Sequence, residues 1–110
     1  MKKERILSLM LDNWNKAVVF VDTDHKIRYM NLPAKIKWAK WGNAIGKSIF
    51  DCHNEDSCKI IKKIFKQLKK GKEEVMFTNS KKHRVYMRGV RNKNGKLIGY
   101  FERFEPPIGK

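Results

Sequence analysis

The spacing of apolar residues changes along the chain and divides it into helices and strands. Residues 3–14 place their apolar side chains on one helical face: Ile6, Leu7, Met10, Leu11 and Trp14. Residues 17–21 form a short β-branched run bounded by turn residues, which predicts a buried strand. Residues 26–30 alternate polar and apolar positions, as the second strand of a hairpin does. A helix followed by a β-hairpin is therefore expected first.

The middle of the chain is expected to be helical. Asn31 is a good N-cap and Pro33 is tolerated in a first turn, so a helix is predicted from this point to about residues 42–43. A longer amphipathic helix is expected to begin at Asp56 or Ser57 and to end before Gly71. Its two faces are clearly separated, with apolar Ile60, Ile61, Ile64, Phe65 and Leu68 opposite Lys59, Lys62, Lys63, Lys66, Lys69 and Lys70.

The last third of the chain is expected to be β-structure. Strands are predicted at residues 73–78, 83–91 and 97–104, and the pair Asn94-Gly95 is a strong hairpin signal. Five strands with helices between the second and third predict an α+β domain, a five-stranded antiparallel sheet with helices on one face. The expected division is an N-terminal amphipathic helix at 1–15, one domain at 16–105 and a loose tail at 106–110.

Composition narrows the classes of function. The 110 residues carry a net charge of +15, which attracts nucleic acid, but lysines outnumber arginines and are spread along the chain. A solvated surface is therefore favoured over a nucleic-acid-binding role. No long apolar run or export signal is found, so a cytoplasmic, non-membrane protein with free thiols is expected. No catalytic motif is present, so no enzymatic activity is predicted.

Three local motifs give the chain a family resemblance. They are the hairpin from Val18 to Asn31, the sequence Ile45-Gly46-Lys47-Ser48, and the stretch from Arg88 to Tyr100. In this order, within a helix-ββ-ααα-βββ arrangement, they resemble a PAS domain over residues 5–105. The segment from Ser48 to His53 is similar to a subgroup with Cys-His-Pro here, although Asn54 replaces the proline.

The resemblance implies a sensory or interaction module that holds a small ligand between the sheet and the helices following the second strand. Haem is the favoured ligand, for gas or redox sensing, with His53 as the axial metal ligand. Arg84 and Arg88 share one face of a strand and are candidates to bind the haem propionates. The full set of candidate cofactor-binding residues is His53, Cys52, Arg84, Arg88, Met87, Tyr100, Tyr29 and Ile64.

Structural alternatives stay open for the same residues. His53 is also interpretable as a hydrogen-bonded cap of the turn before the long helix, and less readily as a ligand of zinc or another metal. A second-shell partner of its ring would be Asp51 or a backbone carbonyl. Cys52 and Cys58 are expected as core or boundary residues, and a Cys52 thiolate would require a lowered pKa. His25 and His83 are expected at the surface.

The partner predictions concern the N-terminal helix. Its apolar face, residues 3–14, is expected to pair two copies of the chain, because symmetric dimers are the commonest oligomers. The signal would pass to a separate partner that the sequence does not identify. The alternatives are a ligand-free PAS-like module for protein–protein interaction and a basic nucleic-acid-binding protein.

Overall fold

A computed structural model describes residues 1–107, and its elements follow the predicted order. The helices are α1 (Lys3–Asp12), α2 (Leu32–Lys37) and α3 (Glu55–Lys69), with two 3₁₀ segments at Ala39–Trp41 and Ile49–Cys52. The strands are β1 (Val18–Asp22), β2 (Ile27–Met30), β3 (Glu74–Asn79), β4 (Arg84–Arg91) and β5 (Leu97–Glu105). The predicted α+β class is confirmed.

The five strands form one antiparallel sheet in the order β2-β1-β5-β4-β3. The last strand of the chain thus lies at the centre, between β1 and β4. Glu102 is the direct cross-strand neighbour of Val19 on one side and Met87 on the other. Since side chains alternate between the two faces of a strand, this row belongs to the buried face, where Val19 and Met87 are also found.

Helix α3 covers part of this face through its apolar stripe. Ile61, Ile64 and Leu68 are at most 4% exposed, while the lysines of the opposite face are exposed. The helix begins earlier than expected, because the side chain of Asn54 accepts a hydrogen bond of 2.8 Å from the Ser57 amide. Its end at Gly71 is as predicted: the residue has φ +119°, which favours glycine.

Helix α2 begins at the predicted N-cap but is shorter than predicted. The Asn31 side chain accepts a hydrogen bond of 3.1 Å from the Ala34 amide. The α-helix ends at Lys37, where Trp38 leaves helical geometry, and a 3₁₀ segment continues to Trp41. At this break the ring of Trp38 lies beside that of Phe104 on β5, with the centroids 5.1 Å apart.

Helix α1 has no buried residue. Leu7 is 50% and Met10 63% exposed. The helix is connected to the sheet through Asn31, whose side-chain amide donates hydrogen bonds of 2.8 Å to the carbonyls of Leu11 and Lys16. Its apolar face is therefore left open within the described residues.

The C-terminal tail is only partly described. The carbonyl of Pro106 accepts a hydrogen bond of 2.8 Å from Arg84 Nε, so the tail leaves the sheet beside β4. The rest of the predicted loose tail, residues 108–110, lies outside the described residues. Within residues 1–107, no helix has the length and apolar character needed to cross a bilayer.

Candidate ligand cavity between the sheet and the helices

A cavity of about 300 Å³ lies between the inner face of the sheet and the segment that connects β2 to α3. This volume is at the lower end of the roughly 300–1,000 Å³ typical of small-molecule sites. Its wall is formed by Val19, Ile27, Met30, Lys37, Trp38, Trp41, Ala44, Ile49, Cys52, His53, Ser57, Phe77, Thr78, His83, Val85, Glu102 and Phe104. The wall combines aromatic rings with a small number of polar groups.

Glu102 is the most unusual group in this wall. Its side chain is carried inward by the alternation of β5 and the residue is only 4% exposed. Its Oε2 atom has no hydrogen-bond partner among the described residues. Burial raises the pKa of the carboxyl, and a positive charge on His53 would partly oppose this shift. The cavity therefore contains a carboxyl group whose hydrogen-bonding capacity is unfilled.

His53 stands where the second 3₁₀ segment ends. Its Nδ1 donates a hydrogen bond of 2.9 Å to the carbonyl of Ile49, and its ring centroid is 6.1 Å from that of Phe77. A backbone carbonyl is thus the partner of the ring, rather than Asp51. This bond fixes the tautomer of the neutral ring, so that Nε2 is left to accept a hydrogen bond or to bind a metal. The same bond also satisfies the interpretation of His53 as a cap of the turn.

The two cysteines have different surroundings. Cys52 lines the cavity, and its pKa is raised by burial and further by the Asp51 carboxylate. The thiol form is therefore favoured, which does not meet the requirement for a thiolate ligand. Cys58 lies outside the wall, and its thiol donates to the carbonyl of Phe50 at 3.5 Å. Both thiols are free, as expected.

The other candidate residues do not line the cavity. Ile64, Met87 and Tyr100 are buried in the core, and the hydroxyl of Tyr29 is buried elsewhere, with no hydrogen-bond partner within residues 1–107. Arg84 and Arg88 lie on the face of β4 opposite to Val85 and Met87. Arg84 binds the Tyr86 hydroxyl at 2.9 Å, and Arg88 lies 3.9 Å from Glu74. Neither guanidinium is placed to bind a ligand in the cavity.

The expectation that His25 is exposed was wrong. Its ring is inserted between the hairpin turn and α3, with centroids 4.6 Å from Phe65 and 4.8 Å from Phe50, and Nδ1 shares a hydrogen bond of 3.0 Å with the Tyr100 hydroxyl. Burial lowers the pKa of His25. Its backbone has φ +65°, and this turn geometry directs the ring inward. No sequence pattern indicated this.

His83 was likewise expected at the surface but lines the cavity. Its ring centroid is 5.6 Å from that of Phe104, and burial, with Lys37 and Lys82 contributing, lowers its pKa. The signal was available, because His83 has the same parity along the chain as the inward-facing Val85 and Met87. The lysines on its N-terminal side suggested a solvated loop instead.

A metal centre has no support from the geometry. Across the described part of the chain, no three His, Cys, Asp or Glu side chains are arranged to hold a metal ion. A zinc site at His53 would need further ligands that the cavity wall does not bring together. The binding of zinc or another metal by His53 stays a prediction that the side-chain arrangement does not support.

The fold and the cavity define a small α+β domain in which helices cover one face of a five-stranded antiparallel sheet and leave a hollow against it. The family model described as PAS domain matches residues 7–105, nearly the whole chain, and the chain belongs to this family. Among proteins with curated descriptions, no sequence matches significantly.

Solved structures share the fold at low sequence identity. A C-terminal domain from Streptococcus mutans has a TM-score of 0.79 at 21% identity, covering 94% of this chain and 84% of that one. The PAS domain of a Colwellia psychrerythraea protein has a TM-score of 0.74 at 11% identity, covering 99% and 100%. A sensory box sensor histidine kinase from Vibrio cholerae has a TM-score of 0.66 at 15% identity, covering 94% and 90%.

Proposed function

We propose that this PAS domain is a sensory module that binds a small organic ligand in the cavity and passes the signal to a separate protein. The observation that carries the proposal is the cavity itself, with aromatic walls and a buried carboxyl group for which residues 1–107 supply no partner at Oε2. Buried polar groups are normally satisfied, and an unsatisfied one inside a cavity is a common mark of a binding site. The ligand-free interaction module is the alternative.

Signalling would require that the ligand bind one state of the domain better than another. The cavity is bounded by the sheet on one side and by the Trp38 and His53 segments on the other, so an occupant would connect the two layers. A ligand shifts a two-state equilibrium only by its differential affinity, and coupling of about 1–3 kcal/mol is typical. The change of state would be transmitted to the partner through the open apolar face of α1.

Haem is a second candidate, favoured by one observation. The Nδ1 bond of His53 leaves Nε2 available, as in histidines that bind iron. The cavity as it stands does not fit haem, however, because a porphyrin is larger than about 300 Å³ allows and Arg84 and Arg88 are turned away. Added haem giving a Soret band that disappears in His53→Ala would support this candidate. The absence of a Soret band would reject it.

We further propose that the chain forms a homodimer through residues 3–14. Ile6, Leu7 and Met10 present exposed apolar side chains along α1, and no element of the described chain covers them. A second copy offers the same apolar face, as a twofold interface requires. Removal of residues 1–15 should therefore convert the dimer into a monomer, as measured by size-exclusion chromatography with light scattering. A truncated chain that still has the mass of a dimer would contradict this interface.

A two-dimensional NMR titration tests ligand binding. The probes are benzamide, benzoate and benzamidine, which share size and shape but differ in charge. At least one should shift the resonances of cavity residues such as Val85 and Phe77, and Thr78→Phe should block the effect by filling the space. Thr23→Phe, in the exposed hairpin turn, is the matched control. If no probe perturbs the cavity, the proposal is contradicted.

A further inference from the structure

We infer that the ligand of the cavity is a small organic cation with N–H donors, an amidine or a primary amine attached to an apolar group. The inference rests on the proposed function, since it specifies the ligand of that same site. Three features of the cavity support such a ligand: the hydrogen-bond acceptors in the wall, its aromatic faces and the charge around it.

The cavity wall presents acceptor atoms on Glu102 and His53. Oε2 of Glu102 is buried and has no partner among the described residues. His53 uses Nδ1 to donate to Ile49, so the neutral ring can contribute only an acceptor, Nε2. Once a bound cation has ionised Glu102, its carboxylate and Nε2 of His53 are both acceptors, so the ligand that satisfies them must donate hydrogens. The hydroxyls of Ser57 and Thr78 can either donate or accept a hydrogen bond, so they are compatible with a ligand that donates.

The aromatic wall already attracts an ammonium group of the chain itself. Nζ of Lys37 lies 4.3 Å from the ring centroid of Phe104 and 5.4 Å from that of Trp38. These rings are 5.1 Å apart and both line the cavity. Electron-rich ring faces beside a carboxyl group form the kind of site that binds organic cations.

The positive net charge of the chain does not oppose such a ligand strongly. The lysines of α3 are exposed, and charges in solvent are screened over about 8–10 Å at physiological ionic strength. Of the titratable groups that line the cavity with Glu102, His83 has a lowered pKa and is neutral near pH 7, and Cys52 is a thiol. The other two titratable groups of the wall are Lys37, which is exposed to solvent, and His53, whose Nδ1 is bonded to the Ile49 carbonyl. A bound cation would ionise Glu102 and supply the charge partner that it lacks.

The experiment compares the three isosteric probes by isothermal titration calorimetry on the full chain. Benzamidine should bind roughly tenfold or more tightly than benzamide or benzoate, because a charge-assisted bond to a buried carboxylate is stronger than a neutral one. Glu102→Gln keeps the shape of the side chain and should remove this preference. Glu73→Gln, at an exposed position before β3, should leave it unchanged.

Two results would overturn the inference alone. One is tighter binding of benzamide or benzoate than of benzamidine, which would leave the proposed sensory function intact and reject only the cationic ligand. The other is benzamidine binding that persists undiminished in Glu102→Gln, which would place the probe outside this site. If none of the three probes binds, both the inference and the proposed function fail.

Discussion

At the scale of single residues, Glu102 is the group that distinguishes the interior of this domain from an ordinary apolar core. The period of two in β5 places Tyr100, Glu102 and Phe104 on the same side, so the sequence contained the information that Glu102 points inward. What the sequence could not indicate is that no side chain in the described part of the chain would bind Oε2 of this carboxyl. That depends on how Cys52 and His53 are positioned by a turn remote in sequence.

The buried carboxyl predicts how stability depends on pH. The pKa of Glu102 in the folded state is raised above the ordinary value of 4.5, so the folded protein holds this proton more tightly than the unfolded chain. Its contribution to stability is full below that ordinary value and is lost as pH rises through the raised pKa. Glu102→Gln should therefore be more stable than wild type at neutral pH and should lose less stability between acidic and neutral pH.

Urea denaturation at a series of pH values measures this difference. The charged or titratable groups that share the cavity with Glu102 are His53, His83, Cys52 and Lys37, and they are unchanged in both proteins. The difference between the two plots of unfolding free energy against pH therefore gives the contribution of the Glu102 carboxyl. Equal pH dependence in Glu102→Gln and wild type would show that Glu102 is ionised or solvated in the folded state.

Asn31 is the other residue with a decisive role. Its Oδ1 accepts from the amides of Val18 and Ala34, and its Nδ2 donates to the carbonyls of Leu11 and Lys16, so one buried side chain ties α1, β1 and α2 together. The sequence predicted the cap of α2. The bonds that connect Asn31 to α1 and β1 depend on the folded structure and were not part of that prediction.

Asn31→Ala should destabilise the domain by about 3 kcal/mol or more, because several buried backbone groups lose their partner together. The matched control is Asn54→Ala, which removes an exposed N-cap bond to Ser57 and should cost about 1 kcal/mol. Chemical denaturation of the two variants checks the difference. Similar losses of unfolding free energy in the two variants would show that the four hydrogen bonds of Asn31 stabilise the domain no more than one exposed N-cap bond does.

At the scale of elements, the hydrophobic periods predicted all three α-helices and all five strands, with errors confined to their ends. The start of α3 was misplaced because Asn54, Asp56 and Ser57 are all good caps, and only tertiary packing selects among them. Helix α2 ended early because Trp38 turns towards Phe104 instead of continuing the helix. Periodicity contains neither piece of information.

Helix α1 carries a prediction about assembly. The double substitution Leu7→Lys and Met10→Lys should shift the protein from dimer to monomer, because it places charges in the centre of the proposed interface. The control is Ile36→Lys with Met76→Lys, which changes two exposed apolar side chains elsewhere by the same chemistry. Light scattering should report a reduced mass only for the α1 variant. An unchanged mass in that variant would count against the dimer.

At the scale of the whole molecule, the sequence was sufficient for the family and the sheet but not for the cavity. The resemblance predicted that His53 and Cys52 lie at the cavity wall. Trp38, which follows α2, and His83, which lies between β3 and β4, reach the wall only through the folding of those segments. Whether an interior is filled or hollow depends on the summed volumes and rotamers of many side chains. Patterns of polar and apolar residues do not record this.

A crystal structure of the full chain soaked with benzamidine shows most directly whether the space between the sheet and the helices receives a ligand. Density for the probe is expected inside the cavity, with its amidinium group in hydrogen-bond contact with Glu102 and its ring beside Trp38 and Phe104. Density for the probe only on the outer surface, or side chains filling the interior, would show that this space is not a ligand site.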